Sequence, residues 1–238
     1  MIAIVSLTNR PGIKQVLRIL MHIGAWLPFA ILLVDYFTNN LTANPIQAAT
    51  QRTGRTAITL LTLSLAGTPL RALTGIPLLG SYKKPLGLYA FFYAVIHFLI
   101  FTVWDYGLVS ARILRQFVEK PYLWLGFTGL VILTLLAFTS NRWWKTRMKQ
   151  NWKKLHRLVY AAGVVVVFHD FLAQKADITR LQGNLILPLV YGVLVTILLV
   201  LRIPSVKSFL TTGKHGLPSI NAQQTGEAER NLTPPASS

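Results

Sequence analysis

Apolar residues run along this chain in long blocks separated by short polar, mostly basic stretches. The blocks predict six helices, over Ile19–Phe37, Thr56–Leu70, Pro85–Trp104, Pro121–Thr139, Leu155–Leu172 and Asn184–Ile203. A membrane span needs about 20 residues, with a range of ~17–25. The first, third, fourth and sixth blocks reach that length. The second is short and rich in Thr, and the fifth reaches it only with the basic residues that precede it. Pro28 and Pro188 fall inside the first and last blocks and are expected to kink them. From Pro204 the pattern stops, and the polar remainder, with its Pro-Pro-Ala-Ser-Ser end, reads as a disordered tail. No internal repeat of clear period is legible. The expected organisation is a short N-terminal segment (1–18), a six-helix transmembrane domain (19–203) and the tail (204–238). The N-terminus does not read as a secretory signal, because Thr8–Lys14 interrupts its apolar run and the first helix is long enough to stay in the membrane.

Composition strengthens this reading. Of 238 residues, 53% are hydrophobic and only 13% charged, against roughly 25% charged in a soluble domain. The fold class is therefore all-α, a polytopic membrane bundle. A disordered chain is excluded by the apolar content. The net charge of +17 does not call for nucleic acid, because the cations cluster at helix ends. With the N-terminus in the cytoplasm, seventeen Lys and Arg fall on the cytoplasmic side and seven on the other. That bias places both termini in the cytoplasm. The chain has no Cys, which removes disulfides, thiolate zinc sites, Cys-ligated iron–sulfur clusters and cysteine nucleophiles.

Four of five histidines, His22, His97, His156 and His169, lie in or at the ends of spans; His215 falls in the tail. An ionisable side chain inside a membrane points to function by default, although a lone one also serves simply to bond a neighbouring helix. His97 follows Pro85 by twelve residues and His169 follows Arg157 by twelve, so each imidazole sits ~18 Å along a helix entering from the same side. Two imidazoles at one depth on two helices suit the two faces of a heme iron. Zinc fits less well, since no carboxylate or thiolate accompanies the pair at that depth. His156 lies ~20 Å from His169 along the helix, near the cytoplasmic face, at the level of a second, stacked heme. The matching level of the third helix is Tyr82–Lys84, without histidine. His22 is at the right depth to supply the missing ligand, or to cap or pair instead.

Several fragments together resemble the MsrQ (YedZ) family. They are Leu86-Gly-Leu-Tyr-Ala-Phe-Phe-Tyr-Ala-Val-Ile-His97, Leu155-His-Arg-Leu-Val-Tyr160 followed by His169, Thr53-Gly-Arg-Thr-Ala57, Thr68-Pro-Leu-Arg71, Lys120-Pro-Tyr122 and Leu136-Ala-Phe-Thr-Ser140. The likeness covers about residues 10–205. It implies a ferric-reductase-like transmembrane domain related to the membrane half of NADPH oxidases, in the bacterial inner membrane, with b-type heme, one or two, and FMN. Carried over, the heme iron ligands are His97, His169 and His156, and His22 matches a family histidine near the start of the first helix. The implied role is an electron-transfer subunit. It would take electrons from the quinone pool or a cytosolic flavin reductase. A periplasmic molybdopterin-containing subunit would receive them and reduce methionine sulfoxide in proteins.

The remaining residues are weighed against that role. Arg55 and Arg71, at the two ends of the second helix, are candidates for a heme propionate through a guanidinium fork, or are snorkelling helix-end cations. The loop Asn141–Lys154 holds six Lys or Arg with Trp143, Trp144 and Trp152. It reads first as an anchor to membrane lipid and second as a dock for propionates, a quinone or a flavin phosphate. Asp35, Asp105, Glu119, Asp170 and Asp177 fall on the outer side, while Glu227 and Glu229 are inside; Asp170 is placed to orient the neighbouring His169. No Gly-x-Gly-x-x-Gly follows a strand pattern, and the tail is too short for a nucleotide-binding domain of ~100–150 residues. A transfer subunit whose catalytic site lies on a partner is therefore favoured. A self-contained ferric reductase or cytochrome-b561-like oxidoreductase is the alternative, and a non-redox transporter or scaffold a third class.

Overall fold

The computed structural model describes residues 11–174, 185–203 and 206. Arg10, Lys175, Asp177, Arg180, Asn184 and the tail residues named above, His215, Glu227 and Glu229 among them, lie outside the described residues, as do Lys207, Lys214 and Arg230. The described elements are all helical: α1 (Pro11–Phe37), α2 (Pro45–Thr74), α3 (Pro77–Leu99) continued by a π-helical segment (Ile100–Asp105), α4 (Ser110–Glu119), α5 (Tyr122–Phe138), α6 (Arg142–Met148), α7 (Gln150–His156), α8 (Leu158–Ala173) and α9 (Ile186–Val200). Four stretches are long and apolar enough to cross a membrane: α1, α2, α3 with its π-helical extension, and α7–α8. The pair α4–α5 makes a fifth if counted together, and α9 is a shorter apolar helix. Many large apolar side chains point outward, among them Ile31, Val34, Phe37, Phe138, Ile186 and Val193. Helices that satisfy their own backbone groups while presenting such faces are what lipid admits. The chain is thus a multi-pass helical membrane protein.

The second helix departs most from its expected length. Instead of a short element from Thr56, α2 runs 30 residues from Pro45 to Thr74. Asn44 caps it, its side chain accepting from the Gln47 N–H at 3.0 Å. Pro45 follows at a position that needs no N–H. Gly75 ends it in the left-handed region, φ 73°, donating its N–H to the Arg71 carbonyl. Hydropathy misses the first two turns because Thr and Gln look polar. In the helix, Thr50, Thr53, Thr56, Thr59 and Thr62 turn their hydroxyls back to carbonyls four residues earlier. The element is buried among its neighbours, so it does not need an apolar surface.

Two helical hairpins, α2–α3 and α5–α8, make the most extensive contacts in the bundle. Small residues allow them to close. A Cβ on Gly67 would lie 2.8 Å from the Leu79 carbonyl oxygen, and one on Gly129 2.8 Å from Val166. The core between the hairpins is formed by Ala57, Leu60, Leu61, Ala90, Tyr93, Leu133 and Ala162, with Ala25 of α1. Tyr93, 1% exposed, accepts from the Phe29 N–H at 3.1 Å and donates to the Ala25 carbonyl at 2.7 Å. The ion pair Arg52–Asp35 joins α2 to α1. Tyr191 of α9 meets Thr59 of α2 at 2.7 Å.

Candidate functional site

His97 stands in the last turn of α3 and His169 near the end of α8. The bundle brings their rings face to face across a cavity of about 550 Å³, with centroids 6.2 Å apart and planes at 84°. Each imidazole is fixed by its Nδ1, which lies 2.9 Å from the Thr50 carbonyl for His97 and 2.8 Å from the Tyr122 carbonyl for His169. A carbonyl only accepts, so both Nδ1 atoms carry the proton and donate it. Each Nε2 is then left with its lone pair, the arrangement found for metal-binding histidines. An imidazole nitrogen bonds a metal at roughly 2 Å, with the ring centroid about 1 Å behind it, so two rings on one ion stand about 6 Å apart. The observed 6.2 Å meets that requirement. Among the described residues no cluster of three His, Cys, Asp or Glu is placed for a metal ion, so this pair suits a metal that brings its own equatorial ligands.

Glycines make the approach possible. A Cβ on Gly126 would sit 2.7 Å from the His169 ring, and one on Gly54 3.1 Å from the His97 ring. Each glycine lies four residues after the carbonyl its histidine bonds, one turn along the same helix face. Thr50, Gly54 and His97 therefore repeat as Tyr122, Gly126 and His169, at identical intervals and a shift of 72 residues. The same shift carries Ile58 onto Leu130, Leu61 onto Leu133 and Ala94 onto Val166, all lining the cavity. It carries Ala90 onto Ala162, both fully buried. The sequence reading that found no repeat is corrected here. The match is between a few inward positions on two hairpins, while the lipid-facing residues between them are unrelated.

The two halves differ where the cavity turns polar. Arg55 corresponds to Phe127, and Phe98 to Asp170; all four line the cavity. One side is thus charged and the other aromatic, with Phe98 and Phe127 6.1 Å apart. The Nε of Arg55 is buried without a hydrogen-bond partner. Gln47, Gln51, Asp105, Tyr106, Lys120 and Gln174 complete the polar wall, while Ala57, Ile58, Leu61, Leu130 and Leu133 form the apolar one. Asp170 lines the cavity but does not orient His169, whose Nδ1 is already given to Tyr122.

The other predicted residues stand elsewhere. His156 ends α7, stacked on Trp152 at 4.0 Å, with its Nε2 3.1 Å from Thr139 Oγ1. That hydroxyl donates to the Leu135 carbonyl, so His156 Nε2 is the donor to it and Nδ1 is left free. The 72-residue shift places Lys84 opposite His156, so that level holds one imidazole. His22 meets the Tyr89 hydroxyl at 2.9 Å. Arg71 lies in the last turn of α2, against Gly80. None of these three lines the cavity. Arg55 does, because α2 starts earlier than expected and carries it into the bundle. Sequence reasoning missed the two glycines and two carbonyls, although the equal forty-three-residue spacing from Gly54 to His97 and from Gly126 to His169 was there to find.

A helical membrane bundle with a histidine-faced internal cavity defines the class. Residues 53–167 match the family described as ferric reductase like transmembrane component. Relatives named protein-methionine-sulfoxide reductase heme-binding subunit MsrQ align over most of the chain. The one from Bordetella pertussis is 37% identical over 184 residues, 77% of this chain and 87% of its own length. That from Xanthomonas campestris pv. campestris is 34% identical over 204 residues, 83% and 90%. That from Xanthomonas axonopodis pv. citri is 32% identical over 225 residues, 92% and 94%. The chain belongs to the MsrQ family.

Proposed function

We propose that the chain is a heme-carrying electron-transfer subunit of the bacterial inner membrane, and that His97 and His169 bind the iron of a b-type heme. The observation that carries this reading is the pair of imidazoles, each with its Nδ1 proton held by a backbone carbonyl and its Nε2 free, separated by one metal's width. When bound, the heme supplies a one-electron carrier within the span. Thr50 and Tyr122 fix the ring planes and tautomers. Gly54 and Gly126 let the rings approach the helices. Leu61, Leu130 and Leu133 keep water from the apolar side. Arg55, with an unpartnered N–H on the polar wall, is placed to meet a propionate.

The same reading extends to topology and partners. Six spans over 19–203, both termini in the cytoplasm, put the histidine pair in the outer half of the bilayer. Electrons come from quinol or a cytosolic flavin reductase. They leave to a periplasmic molybdopterin-containing subunit that reduces methionine sulfoxide. At the cytoplasmic end, His156 and His22 are the imidazoles available to a second heme, Arg71 a cation for an anionic group, and FMN a family expectation. An absorption spectrum of the purified protein, oxidised and dithionite-reduced, tests the central claim. Low-spin b-type bands are expected in the parent and are lost in His97→Ala and His169→Ala. A parent without heme bands, or both variants with unchanged low-spin bands, overturns it.

A further inference from the structure

The helix α4 divides its circumference into three sectors. At ~100° per residue, Gln116, Ile113 and Phe117 fall on one arc, and these are its half-buried residues. Phe117 packs at 5.1 Å against Trp124 and 6.0 Å against Phe127, and lines the histidine cavity with Lys120. The next arc holds Leu114, Val118 and Ala111. It is apolar and exposed, Leu114 by 65% and Val118 by 82%. The third arc holds Arg115, Glu119 and Arg112, all exposed, with Arg115 donating to Glu119 at 2.6 Å. The chain turns 111° between α4 and α5, so α4 lies across the bundle and not along it.

We propose that α4 is an interfacial helix lying in the headgroup plane of the bilayer, with lipid covering Leu114 and Val118. Three surroundings meet at such a position, and the three arcs match them: protein under Phe117, acyl chains beside Val118, water and headgroups around Arg112 and Arg115. The apolar arc needs a cover, and the outward face of the spans continues it. Trp124 begins α5 and is 56% exposed; Trp104 and Leu108 precede α4 and are 58% and 65% exposed. Tryptophan at a span end marks the headgroup level. The cations on the polar arc complement anionic lipid. One wall of the cavity, Phe117 with Lys120, is therefore held by a helix resting on the membrane surface.

Because the chain has no cysteine, single substitutions accept a nitroxide label cleanly. Leu114→Cys and Val118→Cys are compared with Arg112→Cys and Glu119→Cys in the full-length protein reconstituted in phosphatidylcholine with phosphatidylglycerol. All four sites are exposed, so the label does not disturb packing. Oxygen, which concentrates in acyl chains, is expected to relax the labels at 114 and 118 several-fold more strongly, relative to a water-soluble nickel chelate, than those at 112 and 119. Equal nickel access at all four positions overturns the proposal, as that face then meets water. Weak access to both reagents at 114 and 118 also overturns it, because protein then covers the helix.

Discussion

Gly126→Ala tests the geometry of the histidine pair more sharply than removal of a ligand. The added Cβ would lie 2.7 Å from Cε1 of His169, 2.8 Å from Nδ1 and 3.1 Å from Nε2, where ordinary contact starts at 3.4 Å. The ring must withdraw by the difference, about 0.7 Å, and metal–ligand distances tolerate only about 0.2 Å. It is also tied to Tyr122, one turn from the glycine, so it does not slide away freely. Overpacking costs about 1–3 kcal/mol, and the better helix propensity of Ala offsets about 1. The protein should therefore remain folded and inserted while the His169 bond to iron fails. Gly54→Ala asks only about 0.3 Å of His97, whose nearest ring atom is at 3.1 Å, close to the tolerance. The assay is the absorption spectrum and heme-to-protein ratio of each variant, with circular dichroism as the folding control. Gly126→Ala should shift from low-spin to high-spin or lose heme, and Gly54→Ala should largely retain the parent spectrum. A low-spin spectrum in Gly126→Ala equal to the parent's would refute the close-approach reasoning.

Tyr93→Phe removes a buried hydroxyl bonded to both Phe29 N–H and the Ala25 carbonyl. Those two groups are four residues apart and partly re-pair, so the loss should be about 1–2 kcal/mol, measured by reversible unfolding in mixed micelles; a change under about 0.3 kcal/mol would count against the bridge. A reporter fused after Ser238 should be cytoplasmic and one inserted between Asn39 and Gln51 periplasmic; the reverse pattern would contradict the charge-bias topology. Reduced protein in membranes should reoxidise anaerobically when the molybdopterin subunit and a methionine-sulfoxide protein are added together. Equal reoxidation by substrate alone would make this chain the terminal reductase.

The histidine pair was legible because depth along a helix is simple arithmetic, ~1.5 Å per residue, and two helices entering from one side carry it equally. Helix type and the broad spans followed from hydropathy. What hydropathy concealed was α2, whose Thr hydroxyls are satisfied by the helix's own carbonyls and therefore behave as small and nearly apolar. Missing its first turns placed Arg55 at a helix end, when it lines the cavity. The roles of Gly54, Gly126, Thr50 and Tyr122 were hidden for another reason. A backbone carbonyl has no sequence signature, and a glycine in a membrane helix has many uses. Only the pairing of helices shows which histidine each one faces. The amphipathic stretch Ser110–Glu119 was passed over as a loop, being too short to span and too polar for the apolar blocks.

Prolines in α1 and α2 show why these helices hold the site firmly. Pro69 has no N–H, so the Leu65 carbonyl four residues earlier loses its partner within the helix. Arg202, just beyond α9, donates its Nη2 to that carbonyl while its guanidinium lies 4.6 Å over the Tyr160 ring of α8. Beside Pro28, the Tyr93 hydroxyl enters α1 in the same manner, taking the Phe29 N–H and giving its proton to Ala25. In lipid an unpaired backbone group has no water to turn to, so each proline obliges a side chain from another helix to dock there. Those docking residues are not scattered. Tyr93 is one turn before His97 on α3, and Leu65 is three turns past Gly54 on α2. The hairpin that supplies one imidazole, its carbonyl and its glycine is thereby tied to α1 on one side and to the end of α9 on the other. A ring that must stay within a few tenths of an ångström of its place needs such ties, because no solvent-exposed loop contributes to its position.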